Sequence, residues 1–512
     1  MIERILTVGG FTLLSRVSGF IRDIILAAVL GAGPVADAFF VALRLPNHFR
    51  AIFAEGAFNA AFVPAYARIR EEGGGIRAGQ FADRIFTLLL ASQIMLLAVA
   101  LIFTPAVITV LAPGFSRDPD RFALAVELTR ITFPYLLLIT LVTLYGGILN
   151  ALQRFAAAAA APIFLNLSLI LALALASFFP TAGHAAAWGV LVAGVLEFLL
   201  VAGDASLAGV LARLRWPELD TDVRRFFRAL GPAIVGSAGV QLALFADTII
   251  ASFLPAGALS ALYYADRINQ LPIGVIGIAA GTVILPEMSR LIAHGDQRSA
   301  GHAQNRAIEF TLLLSIPCVV AFVVIPDLIM RALFMRGAFT AADADAAGRT
   351  LTAYALGLLP FVLIRSAVAT FFARGDTATP VKAALIAAAV NIAFKVLLMG
   401  PLAQVGLALA TSIGAWINLG LVVWFAARAG HLMHDARLRQ SVIRLAIAGL
   451  ALSAVLWLCH SPMVHWLEKW DGPRDLAALA ILAAIGAGVY GGTLLILFGS
   501  KWLVAFRGKT RH

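Results

Sequence analysis

Apolar stretches recur along the whole chain, separated by short segments that are polar or rich in glycine and proline. A helix that crosses a bilayer needs about 20 mostly apolar residues. The pattern predicts fourteen such helices, near residues 5–30, 36–66, 85–112, 123–151, 157–179, 185–203, 229–253, 259–289, 307–334, 350–373, 380–399, 403–427, 443–460 and 475–500. We expect no cleavable signal, because the first stretch carries charges and runs on into more apolar sequence.

The composition strengthens this interpretation. Of the 512 residues, 61% are hydrophobic and 13% are charged, whereas a soluble domain is about 45–50% apolar and about 25% charged. So few charges cannot cover a water-facing surface, which excludes an ordinary soluble protein. In a soluble protein the net charge of +11 would indicate nucleic acid as a partner. In a membrane protein it first indicates orientation.

The basic residues are distributed unevenly between the two predicted sides of the membrane. With an even number of spans, both termini lie on one side, and the loops and tails of that side carry 24 of the 39 lysines and arginines. The opposite side carries 7 and the spans themselves carry 8. Because basic residues accumulate in cytoplasmic loops, we expect both termini in the cytoplasm.

A weak internal repeat divides the chain. Asp-Ile-Ile at 23–25 resembles Asp-Thr-Ile-Ile at 247–250, and Pro64-x-x-x-Arg68 resembles Pro286-x-x-x-Arg290. The simplest organisation has two six-helix halves in the same orientation, followed by two further helices. Parallel repeats of this kind are typical of transporters with a substrate site between the halves.

Charged residues inside the predicted spans are the most informative feature, because a charge near the bilayer centre costs at least about 2.5–3.5 kcal/mol. Arginines are concentrated in the first, second and eighth spans: Arg16, Arg22, Arg44, Arg50 and Arg267. Internal pairing with Asp23, Asp37 and Asp266 could neutralise three of them. The remaining excess favours a cavity for a phosphate or diphosphate, since a guanidinium binds phosphate oxygens in a bidentate manner.

Other candidate sites carry less information. Asp247, Asn391 and Lys395 fit either a buried Lys–Asp pair or a coupling site that exchanges a proton or cation. His431-x-x-His434 has no further ligand candidates nearby, so we expect no metal. The three glycines at 73–75 lack the following Lys-Ser/Thr of a phosphate-binding loop, and we interpret them as a flexible loop.

Several motifs spread over the chain resemble one family of membrane proteins. They are Ser15-Arg16-Val17-Ser18-Gly19-Phe20-Ile21-Arg22-Asp23, Ala36-Asp37-Ala38-Phe39, Pro46-Asn47-His48-Phe49-Arg50, Glu55-Gly56-Ala57-Phe58, Tyr264-Ala265-Asp266-Arg267, Leu271-Pro272-Ile273-Gly274, Arg336-Gly337-Ala338-Phe339 and Ala373-Arg374-Gly375-Asp376-Thr377. Each is weak alone. Their combination is similar to the MurJ (MviN) lipid II flippases of the multidrug/oligosaccharidyl-lipid/polysaccharide (MOP) exporter superfamily.

The resemblance implies an all-α membrane protein with fourteen helices. It implies an N-terminal lobe at 1–215, a C-terminal lobe at 216–430, and two final helices at 431–512 that form an apolar groove for a polyprenyl tail. A central cationic cavity is expected between the lobes. The positions that match the family's functional residues are the arginines Arg16, Arg22, Arg50 and Arg267 for the head group, and the supporting or gating acids Asp23, Asp37, Glu55 and Asp266.

One position departs from some relatives. The chain resembles them at Asp247, Asn391 and Thr411, but they carry an aspartate at the position of Lys395, which completes a sodium site. A lysine there places a fixed ammonium where the ion would sit. We expect Lys395 to replace sodium by pairing with Asp247.

The function that the resemblance implies is movement of lipid II, the undecaprenyl-diphosphate-linked disaccharide-pentapeptide, from the cytoplasmic to the periplasmic leaflet of the bacterial inner membrane by alternating access. Expected partners are lipid II and membrane lipids, with other cell-wall synthesis proteins as further candidates. We expect no cofactor, metal or nucleic acid.

Two alternatives stay open. One is another exporter of the same superfamily, either for polyprenyl-linked oligosaccharides or for drugs with cation coupling. The drug exporter predicts a cavity of aromatic and acidic residues. A membrane enzyme acting on polyprenyl-phosphate sugars predicts acid and base residues on large outer loops. The predicted outer loops are short, the longest near 335–349 and 461–474.

Overall fold

The computed structural model describes residues 2–50, 57–216, 218–432, 435–468, 470 and 472–499, and each regular element in these ranges is helical. The α-helices in chain order are α1 (Ile2–Leu30), α2 (Pro34–Arg50), α3 (Ala57–Ile102), α4 (Thr104–Leu111), α5 (Pro119–Thr132), α6 (Tyr135–Ala151), α7 (Ala156–Ala174), α8 (Ala182–Leu207), α9 (Thr221–Ser252), α10 (Ala258–Pro272), α11 (Ile278–Ala293), α12 (Gln297–Val324), α13 (Pro326–Phe334), α14 (Ala341–Ala355), α15 (Leu358–Phe372), α16 (Ala378–Arg428), α17 (Ala436–Leu467) and α18 (Arg474–Phe498). A π-helical turn, Ile273–Gly277, joins α10 to α11.

The two longest helices, α3 and α16, are helical hairpins. Gly74 in α3 has φ 74°, and the rings of Phe62 and Phe81 on either side of it stack with centroids 5.7 Å apart. Nineteen residues of straight helix would separate them by about 28 Å. In α16 the turn is at Ala403, with φ 46°, and a Cβ at Gly414 would lie 2.9 Å from the Cβ of Asn391. Both turns fall at boundaries that the apolar pattern predicts.

Other predicted spans are built from two consecutive helices. Proline stands at or beside several of these breaks: Pro134 precedes α6, Pro326 begins α13 and Pro272 ends α10. Proline lacks the amide hydrogen that would continue the helical hydrogen bonds. The apolar pattern therefore predicted the spans but not their internal breaks.

The helices expose many large apolar side chains, more than is usual for a protein surrounded by water. Met95, Leu450 and Trp457 are each about 70% exposed, at 68%, 71% and 72%, and contiguous exposed apolar surface marks contact with a membrane or a partner. Within the described residues, ten helical segments are long and apolar enough to cross a membrane. An all-α integral membrane protein is confirmed. Since both hairpins count once among the ten, the number fourteen stays a prediction.

The first of two compact units consists of Met1–Ser260 together with Arg336–Phe339. Its α8 packs against α5, α6 and α7, while α3 packs against α6 and α9. Phe58, Phe62, Phe81 and Phe226 form an aromatic cluster with ring centroids 5.0 to 6.1 Å apart. This cluster closes the α3 hairpin onto α9.

The second unit consists of Ala261–Met335 and Thr340–His512. Its α12 packs against α11, α15 and α17, and α17 packs against α18. Glycines allow close approach of these helices: a Cβ at Gly449 would lie 2.8 Å from Ile316, and one at Gly486 would lie 3.0 Å from Leu452. The predicted lobes 1–215 and 216–430 and the final segment 431–512 stay a prediction.

Candidate functional site

Neighbours on two helices hold Arg22 of α1 in place. Its Nε and one terminal nitrogen donate to Asp23 Oδ1 at 3.1 and 2.7 Å, and the other terminal nitrogen donates to Asn166 Oδ1 of α7 at 2.9 Å. Asn166 Nδ2 in turn donates to the Ser15 carbonyl and to Ser18 Oγ, both at 2.9 Å. Asp23, one of the acids expected to neutralise an arginine, thus contacts Arg22. The bond to Asn166 also fixes the direction of the guanidinium.

The other arginines of the first unit have different surroundings. Arg16 is exposed on α1. Arg44 of α2, which spacing alone singled out, is half-buried and donates to Thr248 Oγ1 of α9 at 3.3 Å. These arginines therefore differ in how firmly the fold positions them, and Arg16 is the most accessible to a ligand by its exposure.

Arg50, at the end of α2, lines a cavity of about 160 Å³ inside the first unit. The cavity also contains Asn59 of α3, Asn150 of α6 and Glu197 of α8. Glu197 is 2% exposed and accepts a hydrogen bond from the Tyr135 hydroxyl at 3.4 Å. The structure thus places an arginine that is predicted to bind the head group in the same cavity as a buried carboxyl group.

Asp37, near the start of α2, is fully buried and caps another helix. Its Oδ1 accepts from Ser260 N at 2.9 Å and from Ser260 Oγ at 2.6 Å, while Oδ2 accepts from Gly257 N at 2.8 Å. These amides belong to the beginning of α10 (Ala258–Pro272), where a carboxylate is favoured by the orphan N–H groups and the helix dipole. Arg121 completes the group at 3.4 Å from Oδ2. The carboxylate therefore joins α2, α5 and the start of α10.

In the second unit, Arg267 is half-buried on α10 with its guanidinium carbon 4.6 Å from the centroid of the Tyr263 ring. This is a cation–π distance. The adjacent Asp266 accepts from Gln270 Nε2 at 2.6 Å. Glu55, the remaining predicted acid, lies outside the described residues.

The predicted coupling residues are distributed over both units. Asp247 lies half-buried on α9 in the first unit, and the other three lie on the α16 hairpin in the second. Lys395 is 3% exposed, the Thr411 hydroxyl donates to the Leu407 carbonyl at 3.0 Å, and Asn391 packs against Gly414. Their joint role stays a prediction. Among the described residues, no group of three or more His, Cys, Asp or Glu could hold a metal.

Sequence reasoning missed three contributors. Arg121 precedes the helix predicted at 123–151, but α5 begins at Pro119, and the side chain is buried with Asp37. The helix start was readable, since Asp118 followed by proline is a typical N-terminal capping pattern. Glu197 was readable as a charge within an apolar span. Asn166 carried no readable signal, because nothing in a sequence tells which distant helix an asparagine contacts.

The amino-acid sequence is similar to known proteins over almost its whole length. The family model described as lipid II flippase MurJ matches residues 26–469. The chain is 39% identical over 511 residues to the probable lipid II flippase MurJ of Rhizobium tropici, covering 99% of this chain and 94% of the relative. It is 40% identical over 495 residues to that of Rhizobium meliloti (strain 1021), covering 95% and 92%.

Solved structures are similar in fold. A lipid II flippase MurJ in an inward closed conformation has a TM-score of 0.80 at 24% identity, covering 96% of this chain and 98% of the other. An inward-facing multidrug resistance MATE transporter of the MOP superfamily has a TM-score of 0.65 at 15% identity, covering 81% and 94%. Because the family model and both relatives cover most of the chain, this protein belongs to the MurJ lipid II flippase family.

Proposed function

We propose that this protein moves lipid II from the cytoplasmic to the outer leaflet of the bacterial inner membrane by alternating access. Membership of the MurJ family supports the substrate class. The observation that carries the proposal further is Arg22, a guanidinium kept within an apolar helix and aimed by Asp23 and Asn166. No bond of the substrate is made or broken, so the protein is a transporter and not an enzyme.

The head group is assigned to four arginines, Arg16, Arg22, Arg50 and Arg267. A diphosphate carries several acceptor oxygens, and arginine binds such oxygens with paired, charge-assisted hydrogen bonds. Supporting or gating roles are assigned to the acids Asp23, Asp37, Glu55 and Asp266. Asp23 illustrates this role in its contact with Arg22.

The polyprenyl tail is assigned to the outer surface of α17 and α18. Leu450, Trp457 and Ile496 on these helices are 71%, 72% and 84% exposed. Such a surface suits a hydrocarbon chain that stays in lipid while the head group crosses. Other proteins of cell-wall synthesis are proposed as further partners.

The membrane potential favours this direction of transport. With both termini in the cytoplasm, an anionic head group moves away from the negative interior, and each charge that crosses 100 mV gains about 2.3 kcal/mol. The same potential draws the empty, arginine-rich site back toward the interior. No cofactor takes part in this scheme.

The test measures transbilayer movement of lipid II in proteoliposomes that contain the purified protein. We expect charge reversal, Arg22→Glu or Arg267→Glu, to abolish movement while the protein still inserts. Arg22→Lys should retain a small fraction, since the charge stays but the bidentate geometry is lost. Arg130→Glu is the matched control, because Arg130 is an exposed arginine of α5 outside the proposed site. Wild-type movement of lipid II by both reversed variants would overturn the assignment of these arginines.

A further inference from the structure

A carboxyl group lies inside the first unit in the middle of a membrane-spanning helix. Glu197 is 2% exposed, and ten residues of α8 separate it from Leu207, which is about 15 Å along the helix axis. Tyr135 of α6 donates its hydroxyl to Glu197 Oε2 at 3.4 Å. Neither the binding of the head group by arginines nor the predicted replacement of sodium by Lys395 explains why an acid is buried at this position.

The carboxyl group faces a cavity and not a packed apolar core. At about 160 Å³ the cavity has room for several water molecules at about 30 Å³ each. Asn59 Oδ1 lines it, and among the described residues this buried oxygen has no hydrogen-bond donor. Buried polar atoms are nearly always hydrogen-bonded, to water where the protein offers no partner. The cavity is therefore a polar chamber that water, and with it a proton, can occupy.

Few of the described residues around Glu197 and its cavity are charged or titratable. Of the helices packed against α8, α2 brings Arg50 to the cavity, and α6 brings Tyr135 to the carboxyl group. The α7 residues that line the cavity, Ala158, Ala161 and Pro162, are uncharged. Within the described part of the chain, α1 and α5 contribute no lining residue. Among the described residues that line the chamber, Glu197 is the one acid and Arg50 is the one basic residue.

An acid and an anionic ligand compete for the same arginine. Glu197 and Arg50 line the same cavity, so the negative charge of an ionised Glu197 lowers the positive potential that Arg50 presents there, and the effect is strong in a medium of low dielectric constant. A diphosphate that approaches Arg50 meets this negative charge. When a proton from the chamber water binds to the carboxylate, the repulsion is removed and Arg50 is available to the ligand.

We propose that Glu197 is a proton-binding site that controls the affinity of Arg50 for the anionic head group. The ligand of the new site is a proton carried by water, and its binding neutralises one carboxylate without any other bond change. The proposal rests on the role of Arg50 in the proposed function. It adds a linkage: the head group binds more tightly as the pH falls.

The experiment measures the dissociation constant of lipid II for the purified full-length protein as a function of pH. For one linked proton, we expect the wild-type affinity to rise by up to about tenfold per pH unit as the pH falls through the transition. Glu197→Gln, an uncharged isostere, should bind tightly with this component of the pH dependence removed. Titration of the lipid's own phosphates affects both proteins equally.

A matched control and a second readout separate the possible failures. Glu309→Gln changes another carboxyl group, 1% exposed in α12 of the second unit and paired with Arg306, and it should keep the wild-type profile. Modification of Glu197 by dicyclohexylcarbodiimide, which attacks protonated carboxyl groups, should decline as the pH rises.

The outcomes are distinguishable. Equal pH profiles for the wild type and Glu197→Gln would overturn the linkage, and so would modification of Glu197 that does not vary with pH. If lipid II does not bind at any pH while the modification still titrates, the proposed function fails and Glu197 remains a proton site.

Discussion

The direction of the Arg22 guanidinium depends on Asn166, an uncharged residue on another helix. Asn166 accepts from Arg22 and donates to the Ser15 carbonyl and the Ser18 hydroxyl. All three contacts use the one side-chain amide of Asn166, so its loss leaves the half-buried Arg22 guanidinium with one acceptor fewer. At the scale of a residue, Asn166 acts through Arg22 and is a positioning residue.

We therefore predict that Asn166→Ala weakens lipid II binding while the protein keeps its fold. A hydrogen bond to a charged group contributes about 1.5–3 kcal/mol, so the loss is expected to reach about 10- to 100-fold in the dissociation constant. Ser168→Ala, two residues along α7 at another buried position, is the control and should bind normally. Unchanged affinity in Asn166→Ala would mean that Arg22 needs no fixed direction.

Residue chemistry was predictable where it was local and not where it was distant. Asp23 could be expected to neutralise an arginine of the first helix, and its partner Arg22 is the adjacent residue. The four hydrogen bonds that Asp37 accepts from Gly257, Ser260 and Arg121 join positions 84 or more residues apart. Their pairing depends on how the helices pack, which the pattern of apolar residues does not determine.

At the scale of elements, the segment Arg336–Phe339 lies with the first unit, although its neighbours in the chain belong to the second. The Ala338 amide donates to the Ala28 carbonyl near the end of α1 at 2.7 Å. Gly337 has φ +57°, and a Cβ there would lie 2.2 Å from the Ala28 carbonyl oxygen. The contact explains the glycine of the Arg-Gly-Ala-Phe motif, because any side chain at position 337 would prevent this segment from approaching α1 so closely.

We predict that Gly337→Ala lowers the melting temperature of the detergent-solubilised protein more than Gly375→Ala does. Both glycines have positive φ, +57° and +77°, but a Cβ at Gly375 would meet nothing within 4 Å. The control therefore carries the backbone strain of about 1–2 kcal/mol without the clash. Equal shifts for the two variants would show that the segment adapts and that contact with α1 contributes nothing to stability.

Elements were the most predictable level of this structure. Apolar runs and their boundaries indicated the helices, including the turns at Gly74 and Ala403 that fold α3 and α16 into hairpins. The break between α12 and α13 and the π-helical turn after Pro272 escaped the pattern. A run of apolar residues has the same pattern whether it forms one continuous helix or two consecutive helices, so the pattern does not reveal the break.

At the scale of the whole molecule, composition was enough to predict a membrane protein and the arginines were enough to suggest an anionic cargo. The family resemblance was needed to specify lipid II, because a guanidinium recognises a diphosphate and carries no information about the sugar or peptide. The coupling ion is a property of the whole transport cycle, and the residues predicted to determine it, Asp247, Asn391, Lys395 and Thr411, are distributed over both units. The position that tests which ion is coupled to transport is Lys395.

Lys395 on α16 is 3% exposed. Burial of an ammonium group costs several kcal/mol of desolvation free energy unless a partner of opposite charge compensates it. If Lys395 occupies the place that sodium takes in relatives with an aspartate there, lipid II movement by the wild type is independent of sodium. We predict that Lys395→Asp introduces a sodium requirement, measured as movement in proteoliposomes with sodium or with potassium alone. Lys382→Asp, an exposed lysine of the same helix, should leave movement independent of sodium. Sodium-dependent transport in the wild type that persists in Lys395→Ala but disappears in Asp247→Ala would instead show that the lysine does not replace the ion.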